Sequence, residues 1–121
     1  MSYLLTLAAV QHLARAAFEG EYLGFQNGEP SCVYKGVTGA PCAVGAALPD
    51  DLYEVIAADP KLNGASVINL ADKGLIHFAS DEEADAIFAI QRAHDVLIEA
   101  LPFDKNYASH LATFKERIGA A

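Results

Sequence analysis

The chain has 121 residues, with eight Lys and Arg against sixteen Asp and Glu, for a net charge of −8. That length suits one domain, 1–121, large enough to bury a core without disulfides or metals, and 53% hydrophobic residues exclude intrinsic disorder. The charge balance excludes a phosphate-reading surface of clustered Lys and Arg, so no direct nucleic-acid binding is expected.

Along the chain, residues 3–19 read as a first helix. Ser2 is placed to cap it, Leu4, Leu7, Val10, Leu13 and Phe18 form its apolar stripe, and Gly20 ends it. Gln26-Asn27-Gly28 is a turn signal within a polar stretch. Ser31 to Lys35 reads as a strand and Gly36-Val37-Thr38-Gly39 as a turn, which makes a small two-stranded β-hairpin near residues 31–43. A three-residue loop over 36–38 would pair 34 with 40 and 32 with 42, and so bring Cys32 opposite Cys42. A slip of one residue would part them.

A short apolar helix is expected from Pro41 or Cys42 through Ala47, and a further helix capped by Leu48-Pro49-Asp50-Asp51. Asp59 to Gly64 reads as a loop. Ser66 caps a short helix through Lys73 closed by Gly74, and Leu75 to Ala79 reads as a brief strand or an extended connector. Ser80-Asp81-Glu82-Glu83 is a capping box that opens the strongest helix, whose face carries Ile87, Ile90, His94, Leu97, Ile98 and Leu101 up to Pro102. Asp104 caps a last helix carrying Tyr107, Leu111, Phe114 and Ile118, ended by Gly119. The fold class expected is α+β: a mainly helical single domain with one small hairpin.

No apolar run approaches the roughly 18–20 residues that a membrane span needs, and the start lacks the pattern of a signal peptide. A cytoplasmic protein is therefore expected. Two cysteines without an export signal do not imply a disulfide framework.

The segment Cys32-x-Tyr34-x-Gly36-x-x-Gly39-x-x-Cys42-Ala43-Val44-Gly45, followed by Pro49-Asp50-Asp51-x-Tyr53, carries a resemblance. It resembles a group of small uncharacterised phage, prophage and bacterial proteins that share this hairpin motif and a later Leu-Gln-x-x-His-Asp helix motif. Here the later motif stands as Ile90-Gln91-Arg92-Ala93-His94-Asp95, with isoleucine in the leucine position. The resemblance implies a phage-type context, which favours small proteins acting on a host or phage protein; it implies no particular reaction.

The residues themselves leave several readings open. Cys32 and Cys42 can be buried small hydrophobes, a redox pair, part of a metal site, or, at Cys42, a nucleophile favoured by a helix start and served by His77. Zinc sites commonly use closely spaced Cys-x-x-Cys pairs, unlike this wide gap, so neither a metal nor another cofactor is expected. Gln91 and His94, polar on an apolar face, are expected to fasten the long helix to the Cys32–Asp51 segment through backbone groups of the hairpin. Tyr34, Gly45 and Tyr53 are expected to be structural residues of the motif, with Gly45 allowing close helix packing. Tyr22, Phe25, Tyr34 and Tyr53 can form an aromatic patch near the hairpin.

The leading functional expectation is a small acidic non-enzymatic protein-binding module with no catalytic residues, whose partner is a protein. Its interaction surface would use the hairpin loop at Lys35, Gly36, Val37 and Thr38 with the acidic helix starts at Asp50, Asp51, Asp81, Glu82, Glu83 and Asp85. A host inhibitor that imitates the charge of DNA is its sharpest form. The alternatives are a thiol- or metal-dependent activity centred on Cys42 with Cys32, His77 or His94, and a structural homo-oligomer.

Overall fold

The computed structural model describes residues 2–27, 34, 41–100 and 105–120. Its elements are strand β1 (Tyr3–Leu4), helices α1 (Leu7–Glu19), α2 (Asp50–Ala58), α3 (Pro60–Asn63) and α4 (Val67–Asp72), strand β2 (Ile76–His77), and helices α5 (Asp81–Glu99) and α6 (Tyr107–Ile118). Two 3₁₀ turns, Gly24–Asn27 and Gly45–Ala47, complete the order. The mainly helical α+β class expected from the pattern is present.

The sheet is not the one expected. β1 and β2 pair in parallel, with Tyr3 beside Ile76 and Leu4 beside His77, and a parallel pair needs a long crossover where a hairpin needs only a turn. Of the expected hairpin at 31–43, residues 31–33 and 35–40 lie outside the described residues. Where its arms are described, Cys42 N–H donates to the Tyr34 carbonyl at 3.3 Å; the expected pairings of 34 with 40 and 32 with 42 each involve a residue outside those described.

Strand pairing also moves the start of the first helix. With Tyr3 and Leu4 extended, helix α1 opens at Leu7, and Thr6 is its N-cap, its hydroxyl accepting from Ala9 N–H at 3.1 Å. Ser2 is no cap; its hydroxyl lies 2.7 Å from His77 Nδ1 across the two strands. At the other end Gly20 is the C-cap in a right-handed conformation, and Glu21 takes the left-handed one at φ 59°. A Cβ at position 20 would stand 2.9 Å from the ring of Tyr22, an exposed side chain that can turn aside.

Asp59 to Gly64, expected as a loop, contains helix α3. The Asp59 carboxylate accepts from Lys61 N–H and Pro60 stands at the first helical position, where its missing N–H costs nothing. The short helix expected from Pro41 or Cys42 through Ala47 is reduced to the 3₁₀ turn Gly45–Ala47. Asn106 is the N-cap of α6, and the cap expected at Asp104 falls outside the described residues. Ser66 caps α4 and Ser80 caps α5, as their sequences predict.

Helix α5 is the centre of the molecule and packs on α6, α4, α1 and the Gly24–Asn27 turn. It buries Ile87, Ile90, Gln91, His94 and Leu97 against a core that includes Leu5, Val10, Leu23, Ile56, Leu70, Phe114 and Ile118. Among the described residues no helix is long and apolar enough to cross a membrane.

Only half of the expected capping box forms. Ser80 accepts from Glu83 N–H at 3.2 Å, while Glu83 Oε1 turns away and accepts from Leu7 N–H at 2.8 Å. Glu83 thus serves the open N-terminus of α1, where a carboxylate also meets the positive end of the helix dipole. Replacing Glu83 by Ala should destabilise the protein by about 1 kcal/mol, the cost typical of a lost cap, with Glu83→Gln losing less. Urea unfolding measures both, and an unchanged midpoint in Glu83→Ala would discount this contact.

Candidate functional site

The two motifs singled out in the sequence meet at one place. Tyr34 is buried, and its hydroxyl accepts from Gln91 Nε2 at 2.8 Å. Gln91 Oε1 in turn accepts from Val67 N–H at 2.9 Å, at the first residue of α4. The Tyr34 carbonyl accepts from Cys42 N–H and from the Tyr53 hydroxyl, the latter at 3.2 Å. One amide side chain on α5 therefore ties together Tyr34 and α4, and α2 joins them through Tyr53.

Gly45 completes this junction. A Cβ there would stand 2.7 Å from the Tyr34 carbonyl oxygen, a contact that only glycine avoids. Its N–H points at the Cys42 sulfur, 3.2 Å away. The Cys-Ala-Val-Gly step is thus a tight turn folded over its own cysteine.

Cys42 is a free, buried thiol. Burial pushes it up to about 12, with the Asp95 carboxylate adding to the shift and hydrogen bonds from the Gly45 and Val44 backbone opposing it. Such a thiol stays protonated at neutral pH and is a poor nucleophile. His77 does not serve it: that ring lies on β2, exposed and bound to Ser2. Burial likewise pushes the Tyr34 phenol far above its ordinary value, and the Tyr53 phenol to about 12.

His94 behaves otherwise than its neighbour Gln91. It is fully buried, and neither ring nitrogen has a hydrogen-bond partner among the described residues. Asp95 Oδ1 is 3.7 Å from Nδ1, too far for a hydrogen bond. The ring packs edge-on against Phe25 and Phe114, with centroids 5.5 and 6.0 Å away, in a cluster that Phe18 closes. Gln91 fastens the helix as expected; His94 fills an aromatic core. The expected aromatic patch is dispersed: Phe25 belongs to this cluster, Tyr34 and Tyr53 to the junction, and Tyr22 is exposed.

A cleft of about 300 Å³ opens beside the junction, lined by Tyr34, Cys42, Ser66, Gln91, Arg92 and Asp95 among others. No group of three His, Cys, Asp or Glu side chains able to hold a metal ion occurs among the described residues. Cys32, Lys35, Gly36, Val37 and Thr38 lie outside the described residues.

The acidic helix starts are separate from the junction. Asp50 and Asp51 form the exposed first turn of α2, and Asp81, Glu82 and Asp85 are exposed at the start of α5, while Glu83 is engaged with Leu7. Beside Asp51 runs a shallow groove of about 530 Å³ formed by Tyr3, Pro49, Leu52, Val55 and Leu75. Val55 is 55% exposed and Tyr3 37%, and Leu4 on the adjoining strand is 44% exposed. Sequence reasoning passed over this groove because Tyr3 and Leu4 read as part of a helix and not as a strand edge. No protein-family model, curated protein or solved structure matches the chain.

Two tests address the junction. Both thiol and phenol have raised values in the fold, so the unfolded chain loses its protons first and stability falls as pH rises. The decline should begin near the ordinary thiol value of 9.0 and continue toward about 12, and it should be shallower in Cys42→Ala. Thermal unfolding across that window measures it, and a flat profile is incompatible with a buried neutral Cys42. Separately, Gln91→Leu leaves the buried Val67 N–H and Tyr34 hydroxyl unpaired, at about 1–3 kcal/mol for each. His94→Phe, which removes unpaired nitrogens from an aromatic cluster, should cost far less in the same urea titration, and equal losses would contradict the assignment of these two roles.

Proposed function

We propose that this protein is a non-enzymatic binding module that receives an extended, basic and apolar segment of a protein partner in the groove between β1 and α2. The observation that carries the reading is the coincidence of exposed apolar side chains, Tyr3 and Val55, with the Asp51 carboxylate in the groove, Asp50 preceding it in the same first turn of α2. Exposed apolar surface grouped beside charge is a common mark of a protein-binding surface. Among the described residues β1 pairs with one strand only, and its other edge can add a strand from the partner.

The net charge of −8 favours a basic partner and gives salt-sensitive association. The phage-type resemblance of the Cys32–Tyr53 segment points to a host or phage protein as that partner. The protonated, buried Cys42 weighs against a thiol-dependent reaction at the junction.

Affinity capture from bacterial lysate at two salt concentrations, followed by mass spectrometry, tests the proposal. One protein should be enriched at low salt, and its capture should be lost with Val55→Asp and weakened with Asp50→Lys and Asp51→Lys. A partner retained by all three variants would place its binding elsewhere. Light scattering on the purified protein distinguishes a foreign partner from a second copy of the chain in the same groove.

A further inference from the structure

The chain has only eight basic residues against sixteen acidic ones, yet two of its arginines share one groove. The groove runs between α5 and α6, on a different part of the surface from the β1–α2 groove, and measures about 280 Å³. Ala89, Ala93 and Val96 of α5 supply its small apolar lining. Arg92 rises from the same helix, and His110, Thr113 and Arg117 come from one face of α6 at successive helical turns.

The polar groups lining this groove are all hydrogen-bond donors or can act as donors: two guanidinium groups, an imidazole and a hydroxyl. Among the described residues no Asp or Glu lines it. Among the described residues neither arginine makes an ion pair, although acids outnumber bases two to one over the chain. A basic side chain in the last turn of a helix favours the helix dipole, and this accounts for Arg117 alone. Arg92 lies in the middle of α5, far from either end, and gains nothing from that effect.

We propose that the α5–α6 groove binds a small oxyanion, the phosphate group or paired carboxylates of a compact metabolite-sized ligand. Arg92 and Arg117 line the groove from different helices, a guanidinium group suits the planar oxygen pairs of such an anion, and Thr113 and His110 can supply further donors. The volume admits a small molecule and not a folded partner. The overall charge of −8 repels anions at long range, so affinity here must come from direct contact with Arg92 and Arg117. Arg92 also lines the cleft beside Tyr34 and Cys42, so an occupied groove would hold a side chain that borders the junction.

Titration of the isotope-labelled protein with inorganic phosphate and, separately, with succinate tests the site by NMR. The expected result is a saturable shift of the Arg92 and Arg117 side-chain resonances with at least one of the two probes, which also assigns the ligand to phosphates or dicarboxylates. Arg92→Gln and Arg117→Gln should each weaken that binding about tenfold or more, the loss expected for a charge-assisted hydrogen bond. Lys73→Gln, a change of equal charge at the exposed end of α4, should leave it intact. Absence of saturation with both probes overturns the proposal. So does an equal loss in Lys73→Gln, which would reduce the effect to net charge.

Discussion

A single buried amide organises the described structure. Gln91 lies on the most buried face of α5, where a polar side chain is costly unless both its ends are satisfied. Its Nε2 reaches the Tyr34 hydroxyl and its Oε1 receives the first N–H of α4, so one residue joins three parts of the chain that are distant in sequence. Low local dielectric strengthens these bonds and equally raises the cost of losing either partner. The positions of Tyr34 and α4 relative to the central helix follow from this constraint.

The turn after Cys42 depends on the same junction. Tyr34 presents its carbonyl to Cys42 N–H and to Tyr53, and the chain must then pass so close that only glycine fits at position 45. The thiol is consequently enclosed by its own turn and held in the protonated form. A motif that suggests a reactive cysteine when read as a string becomes a packing device when folded. His94, one turn beyond Gln91, contributes to the core in a different way, through ring contacts with Phe25 and Phe114 and without hydrogen bonds.

Charge is distributed to different ends. Helices α2 and α5 carry acids in their first turns, where the dipole favours them, and Glu83 shows that one such acid can serve a neighbouring helix. Arg92 and Arg117, without an ion pair among the described residues, line a groove with Ala89, Ala93 and Val96 that includes none of these acids. An acidic protein can therefore carry one surface suited to a basic partner and another suited to an anion, because short-range contacts decide each.

The sequence by itself determined the helices whose signals are local. Ser66 and Ser80 cap where they were expected, Gly119 ends α6, and the apolar period of α5 places Ile87, Ile90 and Leu97 inward, because caps and periodicity act within a few residues of the chain. Polar residues on an apolar face also marked Gln91 and His94 as ties to the Cys32–Asp51 segment, which holds for Gln91 at Tyr34 and not for His94. Only the tertiary structure decided that Tyr3 and Leu4 are a strand, since their helix-like pattern yields to pairing with Ile76 and His77 from the far side of the fold. It alone decided that Glu83 caps α1, that the Tyr34 carbonyl accepts from Cys42 N–H, and that Arg92 and Arg117 share a groove. Each of these depends on which distant segments come into contact, and local propensity carries no record of that.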